Sequence, residues 1–416
     1  MSESRNNVLL MPIYFIFGVL IFYFFEGGVH AGSFEILTRY LISIVVIVLT
    51  ALYLLVTVEF RLAGRLLKDV YVIYLPYLIS LLISIIVWAM TMPALNIITR
   101  GAFFTVYLFI GILVAFSYAL VFKKRGIYVL FWALCVANVM LIYKLSVTQL
   151  GLSTFLSDYW AQLASLGEET SNLGNLEIIG LQVAYGPFML FFMLDHTEKL
   201  PVRIICTIVA LFFFSVSIKR IAVPAMIIGF AVGLFAKRHH KTSALFALHL
   251  MAIFLIVFSI FYLVAGKTEL LRMFYTYFNI DEKGRLRLME YMNQYYTLSP
   301  FFLGRGLGFT NRLLDALYAQ QKIDAAMLHN DILRVYIETG FIGFIGWIFA
   351  LWYYRISFFF KKRSKYALSV VLAVTMYLFV TYLTDNSIYY YYMNLAAFMV
   401  MLSSEFITDG TEAEND

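Results

Sequence analysis

Apolar runs close to the length of a bilayer crossing recur along the whole chain. "YLISIVVIVLTALYLLVTV" (40–58) and "SALFALHLMAIFLIVFSIFYLVA" (243–265) contain no Asp, Glu, Lys or Arg. A helix needs about 20 consecutive apolar residues to span the hydrocarbon core, and lipid offers no partner to backbone amides outside a helix or closed barrel. The runs therefore predict an all-α, polytopic integral membrane protein. Composition agrees: 62% of residues are hydrophobic and 13% charged, whereas charge makes up about a quarter of a soluble domain. Mean hydropathy is +0.84.

Twelve spans are expected, at 8–25, 36–57, 70–90, 101–122, 127–147, 177–195, 203–218, 221–236, 243–265, 332–354, 367–384 and 388–405. Residues 1–416 read as a single transmembrane domain whose largest connection, 266–331, is a partly helical external loop. A second longer connection covers 148–176. The stretch after Asn7 reads as the first span rather than a cleavable signal, because no small-residue cleavage site follows it.

The net charge of +6 is not a nucleic-acid signal, since in such a chain the placement of cations matters more than their sum. One set of connections holds Arg5; Arg61, Arg65 and Lys68; Lys123, Lys124 and Arg125; Lys199 and Arg203; Lys237, Arg238 and Lys241; and Arg355, Lys361, Lys362, Arg363 and Lys365. The short connections on the other side hold only Arg39, Arg100, Lys219 and Arg220. That bias predicts cytoplasmic N- and C-termini and places 266–331 outside. The two cysteines, Cys135 and Cys206, both fall in apolar runs, so no disulfide framework or C-x-x-C site is expected. Neither H-E-x-x-H, a P-loop nor a G-x-S-x-G elbow is present, and no metal or cofactor is expected.

Chemistry-bearing residues gather around "AAMLHNDILRVYIETGFIGFIGW" (325–347). His329 is the one histidine of the large loop, and histidine is the side chain best matched to take a proton near neutral pH. Asn330 or Asp331 can cap the helix that follows. Asp331, Arg334 and Glu338 stand at helical spacings on one face, a pattern equally consistent with an ion-pair ladder. Gly340, Gly343 and Gly346 read as close packing. In "SVSIKRIAVPAM", Lys219 and Arg220 sit between two apolar runs with almost no loop to solvate them, and charges so placed face a cavity or partner. With Arg285, Arg287, Arg305, Arg312 and Arg334 they point to an anionic, lipid-linked ligand, since guanidinium groups grip phosphate bidentately. The alternative is a solvated loop surface with ordinary ion pairs. "SPFFLGRGLGFTNR" is a loop whose glycines at 304, 306 and 308 allow close approach of its backbone to something else.

Three of these stretches resemble the superfamily of Wzy-type O-antigen polymerases and O-antigen ligases. "HNDILRVYIETGFIGFIGW" (329–347) is similar to that family's H-N-x-x-L followed by E-x-G-x-x-G. "GRLRLMEYMNQYYTLSPFFLGRGLG" (284–308) is similar to its arginine, spacer, Pro and G-x-G stretch. "SVSIKRIAVPAM" resembles its arginine at a tight outer turn. The resemblance covers residues 200–360. An arginine–ten residues–glycine motif described for some polymerases is absent, which leaves polymerase and ligase as alternatives. The resemblance implies inverting glycosyl transfer, without a metal, from an undecaprenyl-pyrophosphate-linked oligosaccharide at the outer face of the bacterial plasma membrane. It implies His329 as the base, Arg220 and Lys219 on the pyrophosphate with Arg285, Arg287 or Arg305 assisting, and Asn330, Asp331, Arg334 and Glu338 orienting the helix start. Membrane lipids and a chain-length regulator are the implied partners. A lipid-linked oligosaccharide flippase is the alternative from another class. It is expected to carry charge along its span interiors, which read here as nearly charge-free.

Overall fold

The apolar runs fold as helices. A computed structural model describes residues 5–24, 33–147, 151–164, 178–216, 221–238, 242–277, 285–323 and 327–407, and no β-strand occurs among them. The α-helices are α1 (Arg5–Phe24), α2 (Ser33–Thr57), α3 (Phe60–Thr91), α4 (Leu95–Phe122), α5 (Arg125–Ile142), α6 (Leu152–Ala164), α7 (Tyr185–Leu194), α8 (Leu200–Ser215) and α9 (Ala222–Arg238). They continue as α10 (Thr242–Lys267), α11 (Leu270–Tyr277), α12 (Arg285–Met292), α13 (Phe309–Ala319), α14 (Asp331–Phe349), α15 (Arg355–Lys362), α16 (Lys365–Thr384) and α17 (Tyr391–Ser403). Each expected span contains a helix. Seven helical stretches among the described residues are long and apolar enough to cross a membrane, and three more are apolar but shorter.

Helices outrun the apolar patterns that announced them. The run at 70–90 belongs to a 32-residue helix starting at Phe60. Arg61, Arg65 and Lys68 end the hydropathy signal but favour helix, and Ala63, Leu66, Asp69 and Val70 give this extension a buried face. Likewise the run at 332–354 continues at its end through a π-helical turn, Ala350–Tyr354, into α15. Arg355, read from sequence as part of a connection, is therefore inside the bundle and 1% exposed.

The core is centred on α16, almost wholly surrounded by other helices. It lies against α9, where Gly229 and Gly233 bring the two backbones together. A Cβ at Gly229 would stand 2.8 Å from the Ala373 carbonyl oxygen, and one at Gly233 3.1 Å from that of Ser369. This G-x-x-x-G spacing replaces the side-chain interdigitation of a soluble core with close backbone contact. Around that pair, α1 packs on α5, α4 on α17, α7 on α8 and α14 on α3.

One connection enters the bundle. Inside α14, Gly340 adopts φ 68°, ψ −171°, a kink within the helix. That region of backbone space is open essentially to glycine alone. The break frees backbone groups that a loop then takes up. The amides of Arg305 and Gly306 donate to the carbonyls of Ile337 (2.9 Å) and Glu338 (2.8 Å), and the Phe341 amide donates to the Phe302 carbonyl at 2.8 Å. Irregular backbone among spans is tolerated only where protein satisfies it in this way. Gly304, Gly306 and Gly308 all have positive φ. Their Cα atoms face Gly340, Trp88 and the Ile97 carbonyl, where a Cβ would meet atoms at 2.5, 2.3 and 2.5 Å. The close approach expected of these glycines is therefore to the protein's own helices. Of the packing glycines, Gly343 and Gly346 face Ile83 and Ile79 of α3, whereas Gly340 is a kink.

Candidate functional site

Asn330 starts α14. Its backbone is extended and its Oδ1 accepts the Leu333 amide at 2.9 Å, so Asn330, not Asp331, is the cap. Its Nδ2 donates to the Tyr262 hydroxyl (3.1 Å) and contacts the Met289 sulfur (3.4 Å), tying the cap to α10 and α12. Asp331 is then free for a longer reach: its Oδ2 accepts the Ile388 amide at 2.7 Å. That bond fixes the turn 385–390 between α16 and α17 against the start of α14.

The turn carries Asp385, which the sequence reading did not single out. His329 Nδ1 lies 3.2 Å from Asp385 Oδ1. The same oxygen accepts the Asn386 amide and the Tyr390 hydroxyl, each at 2.9 Å. The carboxylate is 6% exposed, the imidazole 35%. A carboxylate at Nδ1 selects the tautomer protonated there, leaving Nε2 as an acceptor. Nε2 has no partner among the described residues. A base needs such a pair, one nitrogen held and the other open to a substrate proton. The signal for Asp385 was available: "LTDNSIYYYY" places an acid between two apolar runs with almost no loop, as at Lys219–Arg220.

Arg334 and Glu338 are far more buried than a surface ladder, at 3% and 1%. Arg334 Nη1 is 3.0 Å from Asp331 Oδ1, an ion pair by distance whose angle falls short of a hydrogen bond. Its Nε is 3.9 Å from Glu338 Oε2, and the guanidinium lies 3.9 Å over the Tyr389 ring. Glu338 Oε1 accepts the amides of Gly308 (3.2 Å) and Thr310 (3.1 Å) at the start of α13. The triad thus binds three segments to α14: the 385–390 turn, the inserted loop and α13. Beside it is a cavity of about 10 Å³ lined by Ser80, Thr105, Arg334 and Glu338, among others. That is room for about one water.

The expected cation cluster is only partly within view. Lys219 and Arg220 lie outside the described residues, as does the Arg285 side chain. Arg287 and Arg305 are exposed. Arg305 Nε donates to the Tyr295 carbonyl at 3.1 Å, and its guanidinium lies 6.0 Å from the Phe309 ring. Other loop cations act as braces. Lys267 Nζ donates to the carbonyls of Asn293 (3.1 Å) and Tyr296 (2.5 Å), while Arg272 pairs with Glu269 and Glu290. In that brace, burial pushes the Tyr296 phenol above its ordinary value. It stays neutral and donates to Asn293 Oδ1 at 2.7 Å.

Span interiors are not charge-free. Asp69, Arg334, Glu338 and Arg355 are buried within the long helices. Arg355 donates to Thr375 Oγ1 (2.9 Å) and the Ile73 carbonyl (2.8 Å), with no carboxylate paired to it among the described residues. Asp69 is held by Arg363 at 2.7 Å, and Arg363 also pairs with Glu405 at 2.5 Å. No group of three or more His, Cys, Asp or Glu side chains among the described residues converges to hold a metal ion. Comparison with family models, curated proteins and solved structures found no match to this chain.

Proposed function

We propose that the chain is a polysaccharide polymerase of the bacterial plasma membrane, with twelve crossings and both termini cytoplasmic. It joins undecaprenyl-pyrophosphate-linked repeat units at the outer face by inverting glycosyl transfer. The observation that carries this reading is His329, half-buried, with Nδ1 on a buried carboxylate and Nε2 open. In the proposed step Nε2 takes the proton of an acceptor hydroxyl. The acceptor oxygen attacks the anomeric carbon of the donor, the bond to pyrophosphate breaks, and the lipid pyrophosphate departs. Asp385 holds the imidazole and stabilises the imidazolium as it forms. Arg220 and Lys219, with Arg285, Arg287 or Arg305, would neutralise the departing pyrophosphate. Asn330, Asp331, Arg334 and Glu338 hold the helix start that presents His329.

A purified reaction tests this. The full chain, given a lipid-pyrophosphate-linked glycan, is expected to form a product ladder without any lipid A core, and His329→Ala to lose it by at least about a hundredfold. Transfer only when core is supplied identifies a ligase instead. Wild-type ladders from His329→Ala would remove the base assignment. A reporter fused at residue 300 and read on the cytoplasmic side would remove the topology.

The buried charges at 69, 334, 338 and 355 favour a second reading, a lipid-linked oligosaccharide flippase. Each is held by neighbouring groups, and the cavity beside Arg334 is water-sized, so they support the fold more readily than a glycan path. In that reading the reconstituted protein moves the lipid-linked glycan between leaflets and leaves its length unchanged.

A further inference from the structure

The first turns of α3 present three cations along one edge. Arg61, Arg65 and Lys68 stand at helical spacing around Gly64 and are exposed. With Phe60 they line an open groove of about 520 Å³. The opposite face is fixed: Ala63, Leu66 and Asp69 are buried, and Asp69 is locked by Arg363. Arg61 and Lys68 have no hydrogen-bond or ion-pair partner among the described residues. The Arg65 guanidinium has only a distant one, Glu405 at 3.7 Å, an acid already taken by Arg363 at 2.5 Å, while the Arg65 carbonyl accepts from Arg363 Nη2 at 3.3 Å. A Cβ at Gly64 would meet nothing within 4 Å, so the floor of the groove is empty of protein.

Length places this groove at the headgroup level. Thirty-two residues rise about 48 Å, against a hydrocarbon core of about 30 Å. Exposed charges without a partner are costly in that core, so the surplus falls at the cationic end. The flanking Phe60 and Leu67 are 52% and 48% exposed. An aromatic and an aliphatic side chain beside a cationic row suit the boundary between headgroups and acyl chains. A soluble phosphate would have no use for them.

We propose that this groove binds the phosphate of an anionic phospholipid headgroup, with Arg61, Arg65 and Lys68 as its donors and Phe60 and Leu67 against the acyl chains. The site is separate from His329 and does not depend on the polymerase reading.

Native mass spectrometry of the purified full chain, titrated with phosphatidylglycerol or phosphatidylcholine, is the test. Wild type is expected to retain phosphatidylglycerol about tenfold or more over phosphatidylcholine. The triple variant Arg61→Gln/Arg65→Gln/Lys68→Gln is expected to lose that preference. Gly64→Trp, which fills the groove and removes no charge, is expected to lose it too. Lys199→Gln/Arg238→Gln, exposed cations at the start of α8 and the end of α9, is expected to keep it. Melting in phosphatidylcholine checks that each variant is folded, and should Gly64→Trp unfold, the triple variant decides. The proposal is overturned if wild type shows no preference, if the triple variant retains it, or if Lys199→Gln/Arg238→Gln abolishes it equally. Displacement of the lipid by an equal concentration of glycerophosphate would assign the groove to soluble phosphates and overturn it as well.

Discussion

His329 and Asp385 are 56 residues apart in sequence and 3.2 Å apart in space. The contact depends on other residues: Asn330 caps α14, Asp331 pins the Ile388 amide, and Tyr390 and the Asn386 amide aim the Asp385 oxygen. If Asp385 orients a base, Asp385→Asn should lower kcat by about a hundredfold while KM stays near wild type, because the amide keeps the volume but offers no charge to the imidazolium. Tyr390→Phe, which removes one of the contacts at that oxygen, should have a smaller effect in the same direction. Steady-state kinetics on the lipid-linked donor separates this from a structural role, which would change KM or the melting temperature instead.

At the scale of elements, the kink in α14 and the loop at 302–308 are one unit. Each completes the other: the kink leaves carbonyls at Ile337 and Glu338 without helical partners, and the loop supplies the amides. Gly340→Ala would place a Cβ 2.3 Å from the Phe302 carbonyl oxygen at a backbone angle only glycine favours. It should destabilise by about 2–3 kcal/mol or more, measured as a lowered melting temperature in detergent. Gly346→Ala, on the same helix with 3.2 Å to the Ile79 side chain and an ordinary helical backbone, should cost much less. If the two behave alike, the kink is not what holds the loop. The glycine motif "GFIGFIG" was legible as a packing surface. That its first member breaks the helix was not, because the break is stabilised by atoms some 35 residues earlier in the chain.

For the molecule as a whole, the buried charges divide into paired and unpaired. Arg363 neutralises Asp69 and Glu405 where α3, α16 and α17 meet. Removing it by Arg363→Met leaves Asp69 buried without its partner and Glu405 with only the more distant Arg65, and should cost about 3–5 kcal/mol. Adding Asp69→Leu should recover part of that loss. Arg355 has hydroxyl and carbonyl partners but no carboxylate among the described residues, so Arg355→Met leaves no charge stranded and should be neutral or stabilising. Thermal unfolding of the three variants in one detergent compares them directly. A large loss from Arg355→Met would show that its charge is balanced by a group outside these contacts.

Hydropathy alone determined that this chain is helical and that a helix lies in each apolar run, because lipid forces each run to satisfy its own backbone; the helix at Leu152–Ala164 lies in a stretch read as a connection. It also marked His329 and the Asp331, Arg334 and Glu338 face, since polar residues stand out against an apolar chain. Helix ends were misplaced at Phe60 and Lys362, where helix-favouring charged residues continue the backbone after the apolar pattern stops. Asp385, the role of Gly340 and the burial of Arg355 were decided only in three dimensions. Each depends on contacts between segments far apart in sequence, such as α14 with the 385–390 turn and α3 with the π-turn region. Local spacing carries no record of which distant helix packs alongside, so tertiary structure alone determines which polar groups meet.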